Sequence, residues 1–253
     1  MKNFVSLFSI VLFLSISLFA QSQMDPEAGK LFNEGNQNYK SGNYEGALAS
    51  YNSALKTSSD YRIFYQKGVT LLKLRKYDEA EEAINKCIEA KPDYVTGYKG
   101  LGVAYFASGK YDKAVEAYKK YGELSTKAKD KKSANEYVAR AYTKLGEAAK
   151  ADGKQQQAIE YFNQAVASSP FDAAYLLLAE VYVDNQMYDK ALEAADKALN
   201  YRQKIPKGGP LYFKGKAFLG KGEIEKAKEA FNAGKKDKNY KDLCEYELKA
   251  MNR

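Results

Sequence analysis

The side chains that most often carry out catalysis are scarce in this sequence. It contains no histidine, which excludes a Ser–His–Asp triad, a Cys–His pair and every metal site built with imidazole. The two cysteines, Cys87 and Cys244, are too few for a tetrathiolate metal site or a disulfide framework. Acidic residues occur in short runs such as 78–79 and 81–82, which are typical of a solvated helix surface. We therefore expect no catalytic residue, no metal site and no cofactor.

Clustered lysines are a second feature that could carry a function, because they can hold phosphate groups or anionic lipid. The two clusters are Lys127, Lys129, Lys131 and Lys132, and Lys235, Lys236, Lys238 and Lys241. Asp130 and Asp237 interrupt them, and the net charge of +8 arises from 40 basic and 32 acidic residues. This mixture of signs favours an ordinary solvated surface, so we predict no nucleic-acid partner.

The first 20 residues differ from the rest of the chain. Lys2 precedes an apolar stretch over residues 4–20, and the small residue Ala20 is followed by the polar Gln21. A basic start, an apolar middle and a small residue before polar sequence are typical of a secretory signal peptide. We predict that residues 1–20 are this signal, that residues 21–27 form a flexible tail, and that the protein is exported to a periplasmic or extracellular space. A retained membrane anchor is the alternative, which the sequence leaves open.

One motif, Gly-x-x-Tyr-x-x-x-Gly-x-Tyr-x-x-Ala, recurs along the chain and indicates an internal repeat. Its first small position occurs six times, as Gly35, Gly68, Gly102, Gly146, Ala179 and Gly215. The alanine at its end occurs as Ala47, Ala80, Ala114, Ala158, Ala191 and Ala227. The two columns step together by 33, 34, 44, 33 and 36 residues, which indicates one structural unit copied six times.

The repeat has the periodicity of helices. Within each half the apolar positions recur every three or four residues, which places them on one helix face. Between the halves stand glycines suited to a left-handed turn, namely Gly42, Gly109, Gly153 and Gly222. Four residues after the alanine column come Tyr51, Ile84, Tyr118, Phe162, Ala195 and Phe231. Each copy is thus predicted to be an antiparallel helix pair whose small positions allow close approach and whose apolar face needs neighbouring copies.

These columns resemble those of the tetratricopeptide repeat family over about residues 28–241. The resemblance implies an all-α fold, a right-handed α-solenoid of six helix hairpins with a C-terminal capping helix. The repeats are predicted at 28–60, 61–94, 95–128, 139–171, 172–205 and 208–241, and the cap at 242–253.

Three stretches depart from the regular spacing. Residues 129–138 are inserted before the fourth copy, and the capping-box spacing of Ser133 and Glu136 predicts that its first helix begins near Ala134. Residues 203–210 contain two prolines and two glycines and are predicted to form a non-helical turn. In the cap, the side chains expected to cover the sixth copy are Leu243, Tyr246, Leu248 and Met251.

In the tetratricopeptide repeat family the first helix of each pair lines a concave groove. Carried over position by position, the resemblance implies a partner-binding groove made by Phe32, Asn36, Tyr39, Arg62, Tyr65, Lys99 and Phe106. The corresponding positions of copies four to six are Arg140, Thr143, Glu147, Leu176, Glu180, Val183, Tyr212, Lys216 and Leu219. Aromatic rings give contact area and arginine can hold a carboxylate through two hydrogen bonds, so we predict that an acidic or C-terminal segment of another protein binds the N-terminal half. The alternative is that these rings only seal the wall of the solenoid.

The six copies and the lack of catalytic groups together predict a non-enzymatic protein–protein interaction scaffold of the cell envelope. One alternative is an assembly factor for an envelope or pilus machine, similar to the pilotins of type IV pilus secretins. Those are typically lipid-anchored, and this chain lacks a cysteine near the end of the signal segment. An enzyme with an unfamiliar site is a further class, for which the sequence gives no reason. Contact with a membrane is expected only through an uncleaved signal segment.

Overall fold

The computed structural model describes residues 24–251, which form helices, turns and loops without a β-strand. The signal peptide predicted for residues 1–20 lies outside the described residues. The helices of the described part are α1 (Pro26–Lys40), α2 (Tyr44–Ala54), α3 (Tyr61–Lys73), α4 (Tyr77–Ala90), α5 (Val95–Ala107), α6 (Tyr111–Leu124), α7 (Ala128–Ala151), α8 (Gln155–Ser168), α9 (Asp172–Asp184), α10 (Tyr188–Asn200), α11 (Gly208–Gly220), α12 (Ile224–Gly234) and α13 (Lys241–Ala250).

The chain divides into two compact units. Unit 1 is Met1–Gly100, described from residue 24, and unit 2 is Leu101–Arg253, described to residue 251. Five hairpins are paired in chain order, α1–α2, α3–α4, α7–α8, α9–α10 and α11–α12, and α13 packs on α12. In the remaining hairpin Gly102 of α5 lies against Tyr118 of α6. Within each unit the first helix of a hairpin also packs on the preceding hairpin. The predicted all-α solenoid of helix hairpins is therefore confirmed.

Five of the six hairpins are packed through one small and one large position. In five hairpins a glycine of the first helix lies against a large side chain of the second: Gly35 on Tyr51, Gly68 on Ile84, Gly102 on Tyr118, Gly146 on Phe162 and Gly215 on Phe231. A Cβ added to Gly35 would lie 2.5 Å from Cε1 of Tyr51. In the fifth copy both positions are alanine, Ala179 and Ala195, and both are fully buried. In the five glycine hairpins the volume missing on the first helix is supplied by the second, which keeps the interior close-packed.

Left-handed residues connect the two helices of every hairpin. The predicted turn glycines have φ angles of 75° to 82°, and they are Gly42, Gly109, Gly153 and Gly222. The second and fifth copies have no glycine at this point, and Arg75 and Gln186 adopt the same conformation with φ of 58° and 57°. A left-handed residue ends a helix and reverses the chain, so all six copies turn in the same way.

Two predicted non-helical stretches are partly helical. Pro26 and Glu27 belong to α1 rather than to a flexible tail, because Asp25 caps the helix by accepting hydrogen bonds from the N–H groups of Glu27 (2.9 Å) and Ala28 (3.1 Å). The predicted turn 203–210 ends early, since α11 begins at Gly208. Proline is tolerated at Pro210 because the N–H groups of a first turn have no acceptor within the helix.

The inserted residues 129–138 are part of α7, a helix of 24 residues that begins at Ala128. The predicted start near Ala134 is therefore wrong. The Cβ of Ala134 fits beside Gly122, at 3.0 Å from where a Cβ on that glycine would lie, and Ala134 is buried. This packing favours a continuous helix over a capped start.

The C-terminal helix covers the sixth hairpin, but with a different set of side chains from the predicted one. Cys244 is fully buried against Phe231, and Leu248 and Met251 pack on the same cluster. Leu243 and Tyr246 were expected to help, yet they are 47% and 72% exposed. A helix of ten residues turns one face inward, and these two side chains lie on the other.

Candidate functional site

The predicted groove positions of unit 1 lie on the first helices of successive hairpins. Phe32, Asn36 and Tyr39 are half-buried on α1, and Tyr65 is half-buried on α3. We call these four residues, with Arg62 of α3 and Lys99 of α5, the α1/α3/α5 face. The spacing of three or four residues along α1 and along α3 places the residues of each helix on one side of it.

The aromatic side chains of the face are held by neighbours from the second helices. The ring of Phe32 lies 6.0 Å from that of Tyr51, and Tyr39 meets Tyr44 edge-on at 5.4 Å. The hydroxyl of Tyr51 donates a 2.8 Å hydrogen bond to Oδ1 of Asn36. The amide of Asn36 is thereby fixed with its nitrogen still available as a donor.

Tyr65 belongs to a group of three tyrosines in unit 1. Its ring meets Tyr94 edge-on at 5.4 Å, and Tyr94 meets Tyr61 at 4.8 Å. Burial raises the pKa of Tyr65 to about 12, and the nearby Tyr94 hydroxyl adds to the effect. The hydroxyl is therefore neutral at physiological pH and acts as a hydrogen-bonding group on a partly apolar surface.

Arg62 already has a carboxylate partner within the chain. Its guanidinium donates to both carboxylate oxygens of Asp60, from Nε at 2.9 Å and from Nη2 at 2.6 Å, while Asp60 also accepts from the backbone N–H of Arg62 at 2.8 Å. Burial disfavours ionisation of Asp60, but these hydrogen bonds outweigh it and lower the pKa of the carboxyl group. A partner carboxylate would have to share the guanidinium with Asp60.

The other two predicted groove residues, Lys99 and Phe106, belong to different units. Lys99 is half-buried in unit 1. Phe106 is half-buried in unit 2, where its ring meets Tyr111 edge-on at 5.3 Å. Phe106 is thus not part of the α1/α3/α5 face as defined here.

The corresponding positions of unit 2 carry ion pairs. Glu147 accepts from Lys144 at 2.6 Å, and Glu180 lies 2.5 Å from Nζ of Lys150. Thr143, predicted to face the groove, is buried instead and its hydroxyl donates to the carbonyl oxygen of Ala139 at 2.8 Å. The acidic side chains of this stretch are therefore largely neutralised by local lysines.

A cleft of about 570 Å³ lies between α9, α11 and α13, with Glu180, Tyr212 and Lys216 among its lining residues. Lys216 forms a 2.9 Å ion pair with Glu247, which also accepts from the Tyr212 hydroxyl at 3.3 Å. Burial, followed by the Glu247 charge, raises the pKa of Tyr212 to about 12. These contacts fasten α13 to α11.

Two residues that organise these surfaces were not predicted. Asp60 precedes α3 and is an N-cap residue of the preferred type, so the sequence contained a usable signal. Glu247 meets Lys216 across 31 positions of the chain, and no local pattern indicates such a pair.

Within residues 24–251 no group of three or more cysteine, aspartate or glutamate side chains is arranged to hold a metal ion. In the same range, none of the helices has the length and apolar character needed to cross a membrane.

Comparison with known proteins gives a consistent result. A family model for the tetratricopeptide repeat matches residues 32–95, 65–128, 133–173 and 143–210. Small glutamine-rich tetratricopeptide repeat-containing protein 2 of Saccharomyces cerevisiae is 34% identical over 112 residues, which cover 42% of this chain and 32% of that protein. TPR repeat-containing protein YpiA of Bacillus subtilis is 25% identical over 198 residues, covering 76% of this chain and 43% of that protein.

The chain thus spans less than half the length of these two curated relatives. Among solved structures, YrrB is described as a TPR protein with an unusual peptide-binding site. It superimposes with a TM-score of 0.52 over 79% of this chain and 97% of that chain, at 17% identity. At that level of identity the likeness concerns the fold.

Proposed function

Since this chain belongs to the tetratricopeptide repeat family, we propose that it is a non-enzymatic scaffold that binds a segment of a partner protein on the α1/α3/α5 face of unit 1. The observation that carries the proposal is the chemistry of that face. The face combines half-buried aromatic rings, a fixed amide and two basic side chains. Surfaces of this composition combine rigid contact area with directed hydrogen bonds, as protein-binding sites do.

The partner segment is proposed to be acidic or C-terminal. Lys99 and the outward edge of Arg62 supply positive charge, and the Asn36 amide supplies a donor. Arg62 is 47% exposed despite its bond to Asp60, so a second carboxylate can approach it. We propose no role for nucleic acid, metal or cofactor in this binding.

The place of action is proposed to be outside the cytoplasm, in a periplasmic or extracellular space. This rests on the charged, apolar and polar order of residues 1–22. Sequencing the N-terminus of the protein recovered from an envelope fraction tests it. A new N-terminus near Gln21 is the expected result, and an intact Met1 in the cytoplasmic fraction would contradict export.

The binding proposal is tested by capture of partners from an extract of the cell envelope. Replacing Arg62 and Lys99 together by alanine should weaken capture and reduce its sensitivity to salt. The matched control replaces Lys76 and Lys86 by alanine, which removes the same amount of charge. Both lysines are about half exposed, Lys76 at the start of α4 and Lys86 within it.

Equal losses in the two double variants would contradict a site on the α1/α3/α5 face. A loss on Glu147→Ala, with the Arg62 and Lys99 variant unchanged, would place the site in unit 2. If the captured partner is a secretin, the protein is an assembly factor similar to the pilotins, and any other partner speaks against that alternative.

A further inference from the structure

The additional turns of α7 form one wall of a second cleft, in unit 2. Its volume is about 370 Å³, within the range of about 300–1,000 Å³ that is usual for ligand sites. Lys132, Glu136 and Arg140 of α7 line one side. Phe171, which precedes α9, and Tyr201 and Lys204 of the α10–α11 linker (residues 201–207) line the others. Because Lys132 and Glu136 lie in the inserted segment 129–138, this cleft depends on a feature that the other five copies lack.

The linker side of the cleft is held in place by one buried carboxylate. Oδ2 of Asp172 accepts hydrogen bonds from the backbone N–H groups of Gln203 (2.7 Å), Lys204 (2.8 Å) and Ile205 (3.2 Å). Three hydrogen bonds on one oxygen define the path of the linker. The side chain of Lys204 therefore starts from a fixed backbone position.

An exposed aromatic ring stands at the same place. Tyr201 is 45% exposed, and its ring stacks on that of Tyr175 at 5.6 Å with an interplanar angle of 13°. The stacking restricts the position of the ring, which also lines the cleft. A rigid, partly exposed tyrosine is typical of residues that anchor a protein partner.

The cleft is positively charged. Lys132, Arg140 and Lys204 are all exposed, and none of the three forms an ion pair with another residue of the described chain. Glu136 is the acidic residue on the α7 side, and Asp172 is buried with its oxygens bonded to backbone N–H groups. Elsewhere on α7 the lysines Lys144 and Lys150 are paired with glutamates.

We propose that this cleft binds an extended acidic peptide segment that carries an aromatic or large apolar side chain. Lys132 and Arg140 are eight positions apart on one helix, a distance of about 12 Å along its axis. The separation of these two backbone positions matches two carboxylates spaced along one extended chain. In an extended chain, which rises about 3.3 Å per residue, carboxylates about four residues apart can contact both, and a ring between them can stack on Tyr201 or Phe171.

This second binding site is independent of the α1/α3/α5 face and goes beyond the scaffold proposed above. It assigns a function to the insertion in the fourth copy, which provides the α7 side of a clamp. The linker provides the other side.

The test uses the full-length protein and a fluorescein-labelled peptide, Glu-Gly-Phe-Gly-Glu, with fluorescence polarisation as the measurement. The peptide should bind, its affinity should fall as salt is added, and Gln-Gly-Phe-Gly-Gln should bind at least about tenfold more weakly. The double variant Lys132→Ala with Lys204→Ala should also lose at least about tenfold in affinity. Tyr201→Ala should weaken binding without changing the salt dependence.

The matched control is Lys127→Ala with Lys129→Ala, which removes the same charge from the same helix end outside the cleft and should change affinity by less than about twofold. The Arg62 and Lys99 variant should also leave this affinity unchanged. Thermal unfolding by circular dichroism identifies any variant that has lost its fold.

Equal losses in the cleft and control variants would overturn the proposal, because binding would then follow net charge. Failure of the wild-type protein to bind the glutamate peptide would also overturn it. Sedimentation with phosphatidylglycerol vesicles distinguishes a lipid surface. Vesicle binding that requires Lys132 and Lys204, without peptide binding, would contradict a peptide site.

Discussion

Replacing Asp172 by alanine is expected to lower the free energy of unfolding by about 2.5–4.5 kcal/mol. Asp172 is only 4% exposed and accepts four backbone hydrogen bonds, three from the α10–α11 linker and one from Ala173 at 2.9 Å. Hydrogen bonds to an ionised acceptor are about twice as strong as neutral ones. Alanine removes both acceptor oxygens, and with them all four hydrogen bonds.

The magnitude follows from the surroundings of each donor. Ile205 is buried, so its N–H group would lose its partner without gaining water, at a cost of about 1–3 kcal/mol. Gln203 and Lys204 are exposed and their N–H groups can bond to water, so each contributes about 0.5 kcal/mol. Loss of the hydrogen bond from the Ala173 N–H, at the start of α9, adds about 0.5 kcal/mol.

The effect should depend on pH in a defined direction. Burial disfavours ionisation of Asp172, but the N–H groups of Lys204, Gln203, Ile205 and Ala173 outweigh it and lower the pKa in the folded protein. A lowered pKa means that the stabilisation is complete above the unfolded value of about 3.9 and is lost as pH falls through the folded value. The difference between wild type and Asp172→Ala should thus be constant near neutral pH and shrink in acid.

Urea unfolding followed by circular dichroism measures the free energy, and amide hydrogen exchange locates the change. Exchange at residues 203–205 should accelerate more than elsewhere. The control is Asp152→Ala, because Asp152 is 62% exposed in its pair with Lys154 and should cost at most about 0.5 kcal/mol. If both variants cost the same, or if exchange at the linker is unaltered, Asp172 does not hold the linker as described.

Three further predictions concern the packing of the helices. Ala114→Leu should destabilise the protein by about 1–3 kcal/mol, because Ala114 is fully buried. Lys113→Leu, at an exposed position, should cost less than about 0.5 kcal/mol. Equal shifts in the denaturation midpoint of the two variants would show that the repeat register is misassigned. Gly35→Ala should destabilise the protein because the added Cβ overlaps the buried Tyr51 ring. Gly29→Ala, whose added Cβ meets its nearest neighbour at 3.9 Å, should be neutral or stabilise by up to about 1 kcal/mol. Thermal unfolding measures both effects. Cys244, whose pKa burial raises to about 11, should resist iodoacetamide at neutral pH until denaturant is added, and rapid labelling of the native protein would contradict its burial.

The hairpin architecture was predictable because its determinants are local and repeated. A glycine such as Gly102 and the Tyr118 ring that occupies its empty side are 16 positions apart and recur at nearly constant spacing. The turn conformation was likewise visible as glycine in four copies. Arg75 and Gln186 show that the helix pair imposes this turn even where the residue type does not favour it.

Helix ends were predicted less well because they depend on neighbours in space. The start of α7 was placed near Ala134 from a capping pattern, but the packing of that residue beside Gly122 favours a longer helix. The start of α11 at Gly208 is supported by Asp237, which accepts its N–H at 3.0 Å from 29 positions away. No pattern within a single helix contains this information.

The sequence predicted which positions form the candidate site, but not which of their charged groups are already paired within the chain. Resemblance to the family indicated which side chains of α1 and α3 share a face. It did not show that Arg62 is bonded to Asp60, or that Glu180 is bonded to Lys150. The Glu180–Lys150 pair joins two helices and depends on distances across the fold, and the Arg62–Asp60 pair depends on the rotamer of Arg62, so the binding capacity of such a surface requires the three-dimensional structure.

The pairing of a glycine with a large side chain inside five of the hairpins also limits how such a sequence can change over time. Gly35 cannot become alanine while Tyr51 is present, and Tyr51 cannot become alanine without leaving a cavity. Changing both together reaches the Ala179 and Ala195 combination that the fifth copy already contains. The space is filled either by a glycine with a large side chain or by two alanines. Repeats of this kind should therefore diverge by paired substitutions at the two positions and not by independent ones.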